Sequence, residues 1–130
     1  YDELDEARYG DKEIILRGAT PLLFLYEGEL WFPTLYFLLE NPETKRRVTI
    51  DMGGVKAVSG GANVMAPGVV ACDEEVKKGE GVWVAEERYG RALAVGIALM
   101  ERDEMVVGRQ GVAVKNIHHV GDKIWEIKED

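Results

Sequence analysis

Short apolar runs separated by glycine-containing turns dominate the chain and predict a fold built mostly of strands. After residue 61 the pattern predicts strands and turns alone. Many short strands with glycine at the corners favour a small closed or partly closed barrel in the second half of the chain. The predicted strands cover residues 12–17, 22–26, 30–32, 47–50, 62–66, 69–71, 81–85, 92–99, 112–120 and 123–127.

A first short helix is predicted over residues 33–40. Pro33 suits the first turn of a helix, where its missing N–H would be unpaired anyway, and Asn41 followed by Pro42 ends the helix. The apolar residues lie nearly all round this helix. We therefore expect it to be buried between other elements rather than laid on a surface.

A second short helix is predicted over residues 52–59. The Asp51 carboxylate precedes it and is expected to accept hydrogen bonds from the free N–H groups of its first turn. Gly60 and Gly61 follow it and are expected to end it, because glycine readily adopts the left-handed conformation that a helix C-terminus requires.

The composition limits the number and size of the modules. A chain of 130 residues has room for one ordinary domain or two very small ones that share a core. The net charge is −8, of which residues 1–45 carry −6 and residues 46–130 carry −2. The boundary between the strongly acidic part and the nearly neutral part coincides with the one dense basic cluster, Lys45-Arg46-Arg47. This uneven distribution of charge indicates two modules with different surfaces. The acidic residues Asp2, Glu3, Asp5 and Glu6 are expected to form a solvated, frayed terminus.

The same composition excludes several classes of protein. No apolar segment reaches the roughly 18 residues that cross a bilayer, so no membrane association is expected. A single cysteine, Cys72, excludes an internal disulfide and fits a reducing, cytoplasmic compartment. The acidic balance argues against a protein that binds phosphate backbones over its whole surface, although a local cluster of basic residues could still do so. The chain begins at Tyr1 without a methionine, which suggests that the natural start is missing.

The sequence contains no pattern typical of a catalytic or metal site. Acidic residues follow Cys72 and would raise the pKa of its thiol, so we interpret it as structural. His118 and His119 are adjacent on a predicted strand and would point to opposite faces, which argues against their binding one metal ion together. One of them is expected to be half-buried and hydrogen-bonded and the other exposed. We expect no catalysis, no metal and no cofactor.

Tryptophans and a glycine pair are the features that could bind nucleic acid. Trp31, Trp83 and Trp125 could stack on bases, but Trp83 and Trp125 lie within predicted strands, where core packing is the simpler explanation. Gly60 and Gly61 follow a helix rather than precede one, so they do not match a mononucleotide loop. They can end the helix, or they can let an extended partner approach the backbone, with Lys56, Ser59 and Asn63 as polar contacts.

Several segments occur together in one order: Asp51-Met52-Gly53-Gly54-Val55-Lys56, residues 60–68, residues 93–98, residues 111–114, and Asn116-Ile117-His118 with Asp122-Lys123-Ile124-Trp125. In this order they resemble a PUA domain, the module named for pseudouridine synthase and archaeosine transglycosylase. Gly54 departs from the usual alanine, and the resemblance covers about residues 48–127. Upstream, the segment Gly28-Glu29-Leu30-Trp31-Phe32-Pro33-Thr34-Leu35 and the helix after it resemble the pre-PUA domain of archaeal proteins similar to the malignant T-cell-amplified sequence translation factor.

The resemblance implies an α+β, mostly β fold. It implies a PUA pseudobarrel with short helices over residues 47–130, preceded by a small pre-PUA α/β module over residues 1–46 that is incomplete at its N-terminus. By position, the surface that faces RNA is the helix and glycine loop with part of the last strand. That surface comprises Lys56, Ser59, Gly60, Gly61, Ala62 and Asn63, with Lys123 as a weaker addition. His118 matches the histidine of the family, and we interpret it as structural.

The leading hypothesis for function is a non-catalytic RNA-binding protein of the translation apparatus. The resemblance implies binding to structured RNA, either tRNA or the rRNA of the small ribosomal subunit, and a translation-factor partner, since the eukaryotic relative acts with density-regulated protein. One alternative is an accessory RNA-recognition module of an RNA-modifying or ribosome-assembly complex. Another is a protein-interaction domain whose acidic half engages a basic partner.

Overall fold

Two sheets make up most of the structure, a computed structural model that describes residues 3–129. The first sheet is an antiparallel meander of β1 (Leu4–Tyr9), β2 (Lys12–Arg17), β3 (Thr20–Tyr26) and β4 (Leu30–Pro33). The second sheet has the order β6-β10-β9-β8-β5-β7 and is nearly closed into a barrel, with β5 and β8 parallel and the other neighbours antiparallel. Its strands are β5 (Arg47–Ile50), β6 (Val64–Met65), β7 (Val69–Cys72), β8 (Gly81–Glu86), β9 (Ala92–Ala98) and β10 (Val112–His119).

Four short helices connect or cover these strands within the described residues. They are α1 (Leu35–Glu40), α2 (Val55–Ser59), α3 (Arg102–Val106) and α4 (Lys123–Glu126), with single 3-10 turns at Met52–Gly54, Ala66–Gly68 and Ile127–Glu129. In the part of the chain that the structure describes, every helix is too short to cross a membrane. The expected fold class, mostly β with short helices, is confirmed.

The apolar side chains form two buried clusters, one inside the barrel and one between the sheets. The barrel cluster is aliphatic and includes Val48, Val84 and Val114, each fully buried. The second cluster joins residues of the first sheet and α1, such as Phe24 and Leu38, to Trp83 on β8. Because this second core draws on both sheets, burial of its apolar surface holds the two sheets together.

The acidic terminus is an ordered strand rather than a frayed end. β1 pairs along its whole length with β2, so Asp5 and Glu6 lie in the ladder with exposed side chains, and Glu3 lies just before it. Asp2 lies outside the described residues. The prediction of a solvated surface was right and that of fraying was wrong, because backbone pairing with β2 orders the segment whatever the charge of its side chains.

The first predicted helix begins later than expected. Pro33 is the last residue of β4, and Thr34 is the N-cap of α1, where its buried Oγ1 accepts the Phe37 N–H at 3.2 Å and donates to the Pro21 carbonyl at 2.6 Å. Asn41 ends the helix, as predicted. Leu39 is 49% exposed, so the helix buries one face rather than all of its surface.

The predicted last strand, residues 123–127, is a helix. Alternating polar and apolar residues there suggested a strand, but α4 forms because the Asp122 carboxylate accepts the Trp125 N–H at 2.9 Å and caps the first turn. Trp125 therefore lies on a helix, where its ring stacks on Tyr36 with the centroids 4.2 Å apart. The strand predicted to follow β10 is therefore absent from the described residues.

A helix also stands where only strands and turns were predicted. α3 begins after Glu101, whose backbone N–H donates to the Glu104 carboxylate at 3.0 Å. Met105 on α3 is fully buried in the barrel core. The spacing of Glu101 and Glu104 is that of a capping box, and the prediction overlooked it because neither serine nor threonine stands at the N-cap.

Candidate nucleic-acid interface

The loop after α2 is shaped by two glycines with different conformations. The Gly60 N–H donates to the carbonyls of Lys56 and Ala57, both at 3.2 Å, and ends the helix with a φ of −92°. Gly61 has a φ of +108°, a backbone conformation that residues with a side chain rarely adopt. The left-handed position is therefore supplied by Gly61 and not by both glycines. The preceding helical segment is split by a 3-10 turn at Met52–Gly54. The predicted cap is wrong, because the Asp51 carboxylate accepts no hydrogen bond from this turn and the Met52 N–H donates to the Glu87 carboxylate at 3.0 Å instead.

The imidazole of His119 packs against Gly61. A Cβ atom at Gly61 would stand 2.9 Å from Nε2 of His119, closer than side chains tolerate. The Nδ1 of His119 lies 2.9 Å from the Val120 carbonyl, so it carries the proton of that hydrogen bond. In the neutral ring Nε2 is then left as an acceptor beside the loop. His119 thus belongs to the candidate interface, although the sequence analysis did not include it among the residues that face RNA.

Asn116 of β10 holds the glycine loop on the barrel. Its Nδ2 donates to the carbonyls of Val58 and Ala62, both at 2.9 Å. Its backbone N–H donates to Oδ1 of Asn63 at 2.9 Å. Asn63, which we expected to contact a ligand, therefore has its side-chain oxygen bonded inside the protein, while its amide Nδ2 can donate to an external partner.

Six of the seven predicted contact residues come together in this structure. Lys56 is exposed on α2, Ser59 donates from Oγ to the Lys56 carbonyl at 3.3 Å, and Gly60, Gly61, Ala62 and Asn63 form the loop. Lys123 instead lies on α4 and lines a cavity of about 460 Å³ together with the turn between β1 and β2. Lys123, the weaker addition to the predicted surface, thus lies outside the glycine loop.

The adjacent histidines of β10 have separate roles. His118 is fully buried, accepts the Leu35 N–H on Nε2 at 3.1 Å and donates from Nδ1 to the Asp122 carboxylate at 2.8 Å. It therefore connects the start of α1 to the start of α4. Among the described residues, no group of three acidic, histidine or cysteine side chains could hold a metal ion.

Asp122 is an ionised partner of His118 in a largely buried position. Burial alone would raise the pKa of its carboxyl, but the hydrogen bond from His118 and those from the backbone N–H groups of Trp125 and His119 outweigh burial and hold the pKa below its ordinary value. The carboxylate form is consequently stabilised by folding.

We expect the Asp122→Asn variant to lose about 1–2 kcal/mol of unfolding free energy at neutral pH, because an amide nitrogen replaces an oxygen that accepts hydrogen bonds. The difference from the wild type should shrink as the pH falls below the ordinary aspartate pKa of about 3.9, since the unfolded state then takes up a proton before the folded one. Urea denaturation of both proteins between pH 7 and pH 3 measures this difference in unfolding free energy. Asp103→Asn, at a side chain 89% exposed, is the matched control, and equal losses in both variants would contradict the assignment.

Cys72 is a structural residue. Its side chain is buried, and burial raises the pKa of the thiol to about 11, with Arg102 lowering it and Asp73 raising it. Such a thiol carries almost no thiolate at neutral pH. The expected direction of the shift was right, but the main cause is burial rather than the neighbouring acidic residues.

Comparison with known proteins connects this geometry to a family. The sequence profile of the PUA domain matches residues 46–120. An uncharacterized protein of Methanocaldococcus jannaschii is 43% identical over 91% of this chain and 72% of its own length. Translation machinery-associated protein 20 of Eremothecium gossypii is 33% identical over 95% of this chain and 71% of its own length. A malignant T-cell-amplified sequence 1 homolog of Drosophila melanogaster is 31% identical over 89% of this chain and 66% of its own length.

Solved structures agree with the fold. The crystal structure of a hypothetical protein from Pyrococcus horikoshii has a TM-score of 0.87 and 42% identity, covering 96% of this chain and 78% of the other. A chain of an archaeal box H/ACA sRNP Nop10-Cbf5 complex has a TM-score of 0.55 and 30% identity, covering 64% of this chain and 26% of the other. The second likeness is confined to a part of a larger protein.

Proposed function

This chain belongs to the PUA domain family and to the group that includes translation machinery-associated protein 20, and on that premise we propose that it is a non-catalytic, cytoplasmic RNA-binding protein of the translation apparatus. The observation that carries the proposal is the loop of residues 60–63. It exposes Gly60, Ala62 and Asn63 beside the exposed Lys56 ammonium, and the His119 ring, with its Nε2 acceptor, packs against Gly61. Such a surface suits a phosphate and a ribose hydroxyl.

We further propose that the bound RNA is tRNA or the rRNA of the small ribosomal subunit. The names of the relatives in fungi and in the fly support a role beside the translation machinery. In this proposal Lys56 contacts a phosphate, and the loop backbone with Nδ2 of Asn63 contacts the sugar or base. Residues 47–130 would form the PUA unit and residues 1–46 the pre-PUA unit, with a translation-factor protein as an additional partner.

The Lys56→Glu variant tests this surface. We expect it to bind isolated small ribosomal subunits and initiator tRNA about tenfold more weakly, because repulsion replaces a phosphate contact. The slope of the logarithm of the binding constant against the logarithm of the salt concentration should become shallower by about 1. Filter binding over a range of salt concentrations measures both quantities. Lys77→Glu, at an exposed lysine between β7 and β8, makes the same change of charge elsewhere and should bind like the wild type. Equal binding by both variants would overturn the assigned surface.

A second candidate function is an accessory RNA-recognition module of an RNA-modifying complex. The likeness to a chain of a box H/ACA particle favours it. Purification of the tagged protein from cells separates the two functions. Co-purification with small ribosomal subunits supports the translation role, whereas co-purification with guide RNA and a catalytic subunit supports the alternative.

A further inference from the structure

A cleft between the two sheets has the size and lining of a second binding site. It encloses about 350 Å³ between β4, the start of β8 and the segment that leads from α1 into β5. Sites for small organic ligands commonly enclose roughly 300–1,000 Å³, so this cleft can accept a group as large as one nucleotide. Its lining includes Leu30 and Trp31 of β4, Lys45 and Arg46 before β5, and Gly81 and Trp83 of β8.

The charge of the cleft is opposite to that of the protein as a whole. Two basic side chains, Lys45 and Arg46, line it, and none of its lining residues is acidic. Lys45 is 81% exposed and stands 4.0 Å from the Glu75 carboxylate, the outer limit of an ion pair. Among the described side chains, Arg46 pairs with no carboxylate. A protein with a net charge of −8 therefore presents an unneutralised guanidinium at this cleft, which favours an anionic ligand.

The basic segment is held rigidly in place. The indole Nε1 of Trp83 donates to the carbonyls of Thr44 at 3.0 Å and Lys45 at 3.2 Å, and the Trp83 backbone N–H donates to the Arg46 carbonyl at 3.1 Å. Arg46 has a φ of +67°, in the left-handed region that favours glycine. An arginine thus stands where the backbone would be less strained with glycine, and such strain is often found at functional sites.

Aromatic and aliphatic surface lies beside these cations. Trp31 and Leu30 of the edge strand β4 line the cleft with side chains that are 44% and 45% exposed, so their apolar surface is open to a ligand there. A basic groove combined with an exposed aromatic ring is the arrangement that binds single-stranded nucleic acid, because every base can stack on the ring while the cations hold the backbone.

The cleft and the glycine loop are connected through the second sheet. Gly81, at the cleft, pairs with Ile97, and Ile97 pairs with Lys115, the neighbour of the Asn116 that holds the loop. Two strand spacings, about 10 Å, separate these backbone positions.

We propose that this cleft binds one unstacked nucleotide of a single-stranded RNA, with its phosphate on Arg46 and Lys45 and its base against Trp31. The proposal rests on the proposed RNA-binding function and adds to it a second contact, outside the glycine loop. The glycine loop and the cleft would then hold two points of the same RNA strand.

The Arg46→Gly variant tests the cleft without weakening the fold, since glycine suits the left-handed backbone at this position. We expect it to melt at or above the temperature of the wild type. In fluorescence anisotropy with a short labelled oligoadenylate, we expect its affinity to fall about fivefold and its salt slope to drop by about 0.7, the loss of one phosphate contact with a single strand. Trp31→Ala should weaken binding roughly tenfold with an unchanged salt slope, because it removes stacking and no charge.

The matched controls separate this proposal from the proposed function. Arg88→Gly, at an exposed arginine in the turn between β8 and β9, removes the same charge and should bind like the wild type. If Lys56→Glu loses affinity and both cleft variants retain it, the cleft proposal is overturned and the proposed function stands. If the wild type binds neither the oligoadenylate nor ribosomal subunits and tRNA, both are overturned. Equal competition by polyglutamate would reveal a general anion site and overturn the recognition of a base.

Discussion

The Gly96→Ala variant is expected to lose about 3 kcal/mol of unfolding free energy, although it adds a single methyl group in the middle of a strand. A Cβ atom at Gly96 would stand 2.3 Å from the Lys115 carbonyl oxygen and 2.6 Å from a methyl carbon of Val114. Because the oxygen belongs to the backbone of β10, the contact can be relieved only by separating β9 from β10. Thermal melting followed by circular dichroism should show a midpoint about 10 °C lower.

Gly68→Ala is the matched control for this substitution. Gly68 has nothing within 4 Å of the position a Cβ atom would take and has no left-handed φ, so its variant should stay within about 0.5 kcal/mol of the wild type. A Gly96→Ala protein as stable as the Gly68→Ala protein would show that β9 and β10 do not approach as closely as described. The Gly96 variant should also bind RNA less well, since β10 carries the Asn116 that holds the glycine loop.

The His118→Ala variant is expected to lose about 3 kcal/mol of unfolding free energy. It leaves a cavity where a fully buried ring contacts Phe24 edge-on, with the ring centroids 5.4 Å apart. It also removes the acceptor of the Leu35 N–H and the donor to Asp122, so two polar groups between the sheets lose their partner. Urea denaturation, followed by tryptophan fluorescence, measures the loss.

His119→Ala makes the same chemical change one residue later and is the natural control. The His119 ring lies beside Gly61 at the surface of the candidate interface, so its removal should cost less than about 1 kcal/mol of stability. If the proposed function holds, the His119→Ala substitution should instead weaken RNA binding. Equal losses of stability in the two variants would contradict the assignment of His118 to the contact between the sheets and of His119 to the loop.

Local sequence patterns predicted those elements whose own residues decide their structure. β2 (Lys12–Arg17) and β5 (Arg47–Ile50) have the predicted bounds, because a run of apolar and β-branched residues between turns fits a half-buried strand. Residues 123–127 have the same alternation and nevertheless form a helix. There a single cap, the Asp122 carboxylate that His118 orients, decides between the two structures.

The candidate interface was only partly predictable for a related reason. The position of the glycine pair after a helix, together with the family resemblance, indicated the loop and Lys56. Asn116 and His119 were missed because they are more than fifty residues away in sequence and reach the loop only through the register of β10. The register shift between Asn116 and His118 further changes which side chains share a face, and no sequence pattern predicts such a shift.

The sequence by itself determined that the chain is mostly strand, that α2 ends at a glycine pair, and that its acidic and basic residues are unevenly distributed. Each of these depends on the intrinsic conformational preference or the charge of neighbouring residues. Only the tertiary structure decided that the acidic first segment pairs as β1, that His118 joins the two sheets, and that Lys45 and Arg46 line a cleft beside Trp31. These features depend on groups distant in sequence, and the free energy that brings them together comes from burial of the shared core.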